Sequence, residues 1–208
     1  MNFFLTQSLI EDLTIIILFL GIISFHEFSH ALSAYLLGDD TAKRFGRLTL
    51  NPIAHIDLIG LLCLFFFRIG WARPVPVDTR NFRYPKFYGV LTGLAGPFSN
   101  LLLAIVMLYL IKILSLYFVP EVYIIDLLKI GVHLNIMLCL FNLLPLPPLD
   151  GSHIIYALTP RAWEHYYVRF QQISLLVLLV LLMLPSFHVW FDQAIKVTYH
   201  VLQKLVLL

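Results

Sequence analysis

Long apolar runs separated by short polar connections dominate the chain. Four of the runs, at residues 9–37, 88–119, 122–144 and 168–185, approach or exceed the roughly 20 residues with which a helix crosses the hydrocarbon core of a bilayer. A fifth apolar stretch covers residues 53–69. This pattern predicts an all-α fold, a polytopic bundle of transmembrane helices.

Basic residues are concentrated in three of the polar connections. They are Lys43, Arg44 and Arg47, then Arg68, Arg73, Arg80, Arg83 and Lys86, and finally Arg161 and Arg169. The connection near Pro120 carries Glu121 and Asp126 instead, so the positive-inside rule assigns the basic connections to the cytoplasm and the acidic one to the outside. Because basic connections flank residues 53–69 on both sides, we expect this stretch to re-enter or to lie at the interface, without crossing.

The C-terminal tail, from Trp190 onward, carries polar residues at four-residue spacing on an otherwise apolar segment. These residues are Asp192, Lys196, His200 and Lys204. The spacing is typical of an amphipathic helix, which either lies on the bilayer or packs against the bundle. We therefore expect a single membrane-embedded domain over residues 1–208, with about four to five membrane-embedded helices, a re-entrant or interfacial segment and a C-terminal amphipathic helix.

The composition excludes a soluble protein. Of the 208 residues, 60% are hydrophobic and 12% are charged, and the mean hydropathy is +0.88. The net charge is only +2 and the sequence has no polar face rich in lysine and arginine, so we expect no nucleic-acid partner. Cys63 and Cys139 lie in apolar segments without a CxxC spacing, and neither a disulfide nor a thiolate metal site is expected.

An HExxH pattern, His26-Glu27-Phe28-Ser29-His30, lies inside the first apolar run. Residues four apart in a helix share one face, so both imidazoles can bind one zinc ion while Glu27 lies beside the water of a catalytic zinc. Ionisable residues in membrane helices cost about 2.5–3.5 kcal/mol for a central Asp or Lys, and they occur mainly where they serve a site. The alternative is that these residues are polar packing groups bonded to a neighbouring helix.

Asp150 is the best candidate for the third protein ligand that a catalytic zinc usually has. It follows three prolines, at positions 145, 147 and 148, which interrupt helical hydrogen bonding at the cytoplasmic end of the third long run. If residues 53–69 do not cross, two crossings separate this segment from the first run, and Asp150 returns to the side on which His26 and His30 lie. The competing interpretation is an Asp-Gly turn without a ligand role.

Five motifs occur in order between about residues 21 and 155. They are HEFSH at 26–30, NPIAHIDLIG at 51–60, GWARPVPV at 70–77, GLAGPFSN at 93–100 and NLLPLPPLDG at 142–151. In these motifs the chain resembles the site-2 protease family of intramembrane zinc metalloproteases, in its short form without PDZ or CBS domains.

The resemblance implies a zinc metalloprotease, a hydrolase with one Zn²⁺ per chain. It implies that His26, His30 and Asp150 bind the zinc, that Glu27 is the general base, and that Asn142 helps to hold substrate or to stabilise the oxyanion. It also implies a multi-pass protein of the cell membrane, here the prokaryotic cytoplasmic membrane. The substrate would itself be a transmembrane or signal-like segment in the lipid bilayer, cut near the cytoplasmic face.

Three weaker signals have alternative interpretations. His55 and Asp57 form an HxD pair that is either structural or part of a second metal site. The proline-containing residues 73–78 form either an extended edge that accepts an unwound substrate by strand addition or a plain interfacial loop. The glycines of GLAGPFSN favour close helix packing, and Asn100 is either a packing residue or an added polar group at the site.

Two non-protease functions would also place His, Glu and Asp in a membrane. A metal or ion transporter usually shows repeated halves, and no internal repeat is evident in this sequence. A non-catalytic binder of membrane helices requires no base, so the presence of Glu27 between two histidines argues against it. A zinc metalloprotease is therefore the favoured function.

Overall fold

The computed structural model describes residues 9–67, 70–118 and 121–207. Within these ranges the chain forms nine α-helices, two short 3₁₀ turns and no β-strand. The helices are α1 Leu9–Leu36, α2 Thr41–Arg44, α3 Pro52–His55, α4 Leu58–Phe67, α5 Pro85–Tyr117, α6 Val122–Asn142, α7 Ser152–Leu158, α8 Glu164–Met183 and α9 Pro185–Leu207. The prediction of an all-α fold is confirmed.

Four of the helices, α1, α5, α6 and α8, are long and apolar enough to cross a membrane, and they correspond to the four predicted runs. Their ends differ from the predicted ends because local signals override the apolar pattern. α5 begins at Pro85, since proline is favoured in the first turn of a helix. α6 ends at Asn142, shortly before Pro145. Arg68, Ile69, Val119 and Pro120, which entered the predictions, lie outside the described residues.

α6 lies at the centre of the bundle. Its residues Leu134 and Leu138 pack in one buried cluster with α1 and α4. Val132 and Ile136 pack in a second buried cluster with α5 and α9. The outer faces of α5 and α8 carry exposed leucine, valine and isoleucine side chains, as expected for helices that face lipid. Because α1, α5 and α6 alternate in direction, the second half of α1 and the end of α6 meet at the same end of the bundle.

α9 packs against the bundle and runs along α5 and α6. Its buried face contains Ile195, Leu202 and Val206. Phe191 contacts Phe141 near the end of α6, with ring centroids 6.2 Å apart, and Lys112 of α5 donates a hydrogen bond to the carbonyl of Val206. Of the two positions that the sequence left open for the amphipathic helix, the structure selects packing against the bundle.

The described part of the predicted stretch, residues 53–67, forms short helices instead of one long helix. α4 has 10 residues and is therefore about 15 Å long, half the thickness of the hydrocarbon core. The chain then returns to its starting point, because Ile56 forms an antiparallel bridge with Ala72 and the amide of Arg73 donates to the carbonyl of His55. This geometry agrees with a segment that enters and leaves on one side.

We expect cysteines introduced at positions 44 and 80 to be labelled from the same face of the membrane. The side chains of Arg44 and Arg80 are 63% and 88% exposed. Arg44 precedes α3 and α4 in the chain, and Arg80 follows the return to Ala72. Membrane-impermeant maleimide should reach both from one side of oriented vesicles, with Cys63 and Cys139 replaced. A cysteine at Glu121, beyond the crossing of α5, serves as the control and should be labelled from the opposite side. Labelling of positions 44 and 80 from opposite faces would contradict this topology.

Candidate metal centre

The HExxH residues lie in the second half of α1, a helix long and apolar enough to cross a membrane. His26 and His30 are one helical turn apart and face the interior of the bundle, where they are 4% and 8% exposed. Their Nε2 atoms lie 3.1 Å apart, so both imidazoles point at one position. The Nδ1 atom of His30 lies 2.7 Å from the carbonyl oxygen of Thr92 on α5, which fixes the orientation of that ring.

Asp150 approaches the two histidines from the loop that follows α6. The amide of Gly151 donates to the carbonyl of Asn142, which closes this proline-rich loop back onto the end of the helix. Asp150 Oδ2 thereby comes within 3.2 Å of His26 Nε2 and 3.3 Å of His30 Nε2. Burial alone would raise the pKa of Asp150, but the adjacent imidazoles hold the pKa below its ordinary value. The carboxylate is therefore ionised at neutral pH.

The three facing atoms form a nearly equilateral triangle with sides of 3.1, 3.2 and 3.3 Å. Ligand atoms around a tetrahedral zinc at about 2.0–2.1 Å lie about 3.3–3.4 Å apart, so this triangle has the size of one face of a zinc tetrahedron. A single proton can join only two of the three atoms, whereas one cation can bind all three. Among the residues that the structure describes, no other group of three His, Cys, Asp or Glu side chains converges in this way. The residues present therefore fit zinc with an open fourth position.

Glu27 lies beside this triangle and is held in place by the backbone of residues 73–78. The amide of Val75 donates a hydrogen bond of 3.0 Å to Glu27 Oε2, and the carboxylate is only 9% exposed. Arg47, which donates to the carbonyl of Arg73, brings a buried positive charge near the same carboxylate. Burial lowers the pKa of the Arg47 guanidinium, and the charge of Glu27 opposes that shift.

The buried carboxylate of Asp39 anchors the segment that touches Glu27. It accepts hydrogen bonds from the amide of Asp78 at 2.8 Å and from the side-chain amide of Asn81 at 2.7 Å. Burial would raise the pKa of Asp39, but these bonds and those from Thr41 lower it below its ordinary value. Asp39 therefore ties the end of α1 to residues 78–81 and helps to set the position of Val75.

Gly96 of α5 leaves the space that the two imidazoles occupy. A Cβ on this residue would lie 2.3 Å from His30 Nε2 and 2.7 Å from His26 Nε2. Both distances are below 3.0 Å, a separation that a Cβ atom essentially never has to a non-bonded atom. The sequence favoured helix packing for this glycine, and the structure shows that its neighbours are the side chains of the HExxH pattern.

We expect Gly96→Ala to remove most of the bound metal, because the added methyl group displaces both imidazole nitrogens. Metal analysis of the purified protein should show the loss. Gly89→Ala on the same helix is the matched control, since its new Cβ would meet nothing closer than Thr79 Cγ2 at 3.9 Å. Alanine at that helical position should raise stability by up to about 1 kcal/mol and leave the metal content unchanged. Full zinc occupancy in Gly96→Ala would contradict the described packing.

The chain has relatives among known proteins. Residues 118–185 match the sequence profile of Peptidase family M50. The chain is also 43% identical over 178 residues to "Putative zinc metalloprotease YwhC" of Bacillus subtilis, a match that covers 81% of each protein. The chain belongs to peptidase family M50. The family is that of the site-2 proteases, so the resemblance seen in the sequence motifs is confirmed.

Two other relatives of this M50 peptidase also have "Putative zinc metalloprotease" in their names. "Putative zinc metalloprotease Rip2" of Mycobacterium tuberculosis is 33% identical over 174 residues, which cover 80% of this chain and 65% of that protein. "Putative zinc metalloprotease MJ0611" of Methanocaldococcus jannaschii is 40% identical over 99 residues, about half of each chain. No solved structure matches the chain. The M50 protein is thus a metallopeptidase with the helices of a multi-pass membrane protein.

The HxD pair of the M50 peptidase has protein partners that account for both residues. His55 is buried, with Nε2 2.8 Å from the carbonyl oxygen of Thr49 and Nδ1 3.4 Å from Arg47 Nη2. Asp57 Oδ1 accepts a hydrogen bond from the amide of Gly60 at the start of α4. Of the two interpretations of this pair, the structure supports the structural one.

Asn142 lies at the last turn of α6, where its side-chain amide donates to the carbonyl of Leu138 at 3.0 Å. One amide hydrogen is therefore used within the helix. Two groups in the site have no sequence signal, namely the carbonyl of Thr92 and the amide of Val75. Both groups belong to the backbone, so the residue types at these positions do not reveal them in the sequence.

Proposed function

We propose that this M50 peptidase is an intramembrane endopeptidase that binds one zinc per chain through His26, His30 and Asp150. It hydrolyses peptide bonds of transmembrane or signal-like segments near the cytoplasmic face. The observation that carries this proposal is the triangle of His26 Nε2, His30 Nε2 and Asp150 Oδ2, whose sides match a face of a zinc tetrahedron.

The chemistry divides between the metal and the residues beside it. Zinc bound to these three ligands supplies Lewis-acid chemistry, which acidifies water and polarises a carbonyl. Glu27 acts as the general base and accepts the proton of the attacking water, since it is the only acidic residue between positions 13 and 36. One hydrogen of the Asn142 side-chain amide bonds the carbonyl of Leu138. The other donates a hydrogen bond to the substrate carbonyl oxygen as negative charge develops there.

The substrate has to lose its helical hydrogen bonds before it can be cut. Residues 73–77 have no regular secondary structure and contact Glu27 through the amide of Val75, so they line the site from the loop side. The unwound substrate pairs with backbone groups of this segment that are not already bonded. Pro74 and Pro76 have no donor, and the amide of Val75 is bonded to Glu27. The carbonyl groups of the segment therefore provide most of the pairing.

We place the protein in the cytoplasmic membrane of a prokaryote, with the site on the inner side. The named relatives come from bacteria and an archaeon. His30 lies six residues before the end of α1, which corresponds to about 9 Å of helix, so the site is a short distance inside the membrane from the end that carries basic loops.

Proteolysis in liposomes of defined composition tests the proposed function. The purified protein should cut a single-span model substrate, and mass spectrometry should locate the cut near the cytoplasmic end of the span. A strong zinc chelator should stop the reaction, and added Zn²⁺ but not Mg²⁺ should restore it, because Mg²⁺ prefers oxygen ligands in octahedral geometry. Continued cleavage in the chelator would contradict the proposal.

A matched substrate tests the requirement for unwinding. Replacing helix-destabilising residues around the cut with leucine and alanine should slow cleavage of the same segment. Equal rates for both substrates would show that cutting does not depend on local loss of the substrate helix.

A further inference from the structure

The two imidazoles of the metal triangle have unequal surroundings on the side away from the triangle. His30 Nδ1 lies 2.7 Å from the carbonyl oxygen of Thr92. His26 Nδ1 is buried and has no hydrogen-bond partner. A histidine that binds zinc through Nε2 carries its hydrogen on Nδ1, and that N–H almost always donates to an acceptor that fixes the ring. His30 has such an acceptor, and His26 lacks one.

Three buried side-chain oxygens outside the triangle lack a hydrogen-bond partner within the described residues, and they belong to Thr92, Asn100 and Asn135. Thr92 lies beside His30, whose Nδ1 faces its carbonyl oxygen. Asn135 lies beside Met107, about three helical turns beyond Gly96 on α5, and its amide donates to the carbonyl of Gly131 on its own helix. Asn100 remains, and both its side-chain oxygen and its side-chain nitrogen are without partners.

Asn100 lies one helical turn beyond Gly96 on the same face of α5. A Cβ on Gly96 would lie 2.6 Å from His26 Cε1, the ring atom bonded to Nδ1. α1 and α5 run in opposite directions, so the turn that holds Asn100 faces the turn of α1 before His26. Helical side chains tilt toward the N-terminus, and the His26 ring therefore leans in the direction of Asn100.

We propose that the side-chain oxygen of Asn100 accepts the Nδ1–H of His26 when the enzyme binds zinc, so that Asn100 is a positioning residue for the metal. This inference rests on the proposed zinc site. Asn100 is 0% exposed in a membrane-crossing helix, where an asparagine without partners is costly. A rotation of its carboxamide pairs two groups that are otherwise both unsatisfied, and the same bond holds the His26 ring toward the metal.

The test measures the zinc dissociation constant of the purified protein by competition with a chelating dye. Asn100→Leu removes the acceptor, keeps the branched shape of the side chain and leaves no room for a replacement water, and we expect zinc affinity to fall about 10- to 100-fold. Asn100→Asp retains an oxygen acceptor and should bind zinc within a few-fold of the natural protein. Asn100→Ala provides the same comparison if the leucine variant does not fold.

Asn135→Leu is the matched control. Asn135 is also 0% exposed in a membrane-crossing helix and also has an unpaired side-chain oxygen. Its replacement should leave zinc affinity unchanged, and it separates an effect on His26 from the general consequence of removing a buried amide. The absorption spectrum of the Co²⁺-loaded protein supplies a second readout, which Asn100→Leu should change and Asn135→Leu should not.

The outcomes separate this inference from the proposed function. If the natural protein binds no zinc, the proposed function fails first. If the natural protein binds zinc and Asn100→Leu binds it equally well, the inference about Asn100 is wrong and the zinc site stands. Equal losses in Asn100→Leu and Asn100→Asp, or in Asn100→Leu and Asn135→Leu, would also overturn the inference.

Discussion

Glu27→Gln should abolish proteolysis while leaving zinc bound. The substitution keeps the size of the side chain and both histidines, but the neutral amide cannot accept a proton from water. General-base catalysis contributes about 10²–10⁴-fold, and we expect at least this loss in the rate of cleavage of a model transmembrane substrate in liposomes. Metal analysis of the same preparation should give the zinc content of the natural protein.

The structure makes this substitution a clean test. The amide of Val75 donates to Glu27 Oε2, and the side-chain oxygen of a glutamine can accept the same bond. The segment beside the site should therefore stay in place, and the variant should still bind its uncut substrate. Glu121→Gln, on the connection between α5 and α6, is the control and should cut at the natural rate. Cleavage by Glu27→Gln near the natural rate would reject Glu27 as the general base.

Asp150→Ala should lose most of its zinc and, with it, proteolytic activity. Two histidines remain in the triangle, and a site with two protein ligands binds zinc weakly. Outer partners of metal ligands typically contribute 10- to 100-fold in affinity, so the loss of a ligand itself should exceed about 100-fold. The zinc dissociation constant, measured by competition with a chelating dye, checks this expectation.

Asp57→Ala is the matched control for Asp150→Ala. Asp57 also lies in a turn, but its carboxylate accepts a hydrogen bond from the amide of Gly60 and has no part in the metal triangle. Its loss should cost about 1 kcal/mol of stability, as for other helix-capping residues, and leave zinc affinity unchanged. Retention of full zinc affinity in Asp150→Ala would exclude Asp150 as a ligand. A loss of zinc affinity in Asp57→Ala would favour the interpretation of His55 and Asp57 as part of a second metal site.

The membrane class, the approximate spans and the shared face of His26 and His30 follow from the sequence by itself. These features depend on local properties, because hydrophobicity over about 20 residues decides whether a helix crosses a bilayer and the helical repeat sets which residues share a face. The ordered motifs also identified the family correctly. The predicted ends of the helices were less accurate, since Pro85 and Pro145 determine where α5 begins and α6 ends more strongly than the apolar pattern does.

Only the tertiary structure decided how distant segments meet at the site. Asp150 reaches the two histidines because α6 packs beside α1 and its proline-rich loop folds back toward them. The packing of α9 and the role of Gly96 likewise depend on contacts between residues far apart in the chain. Hydrophobic patterns show that a face is buried, but they carry no information about which partner buries it. The partners are determined by the shapes and directions of the packed helices.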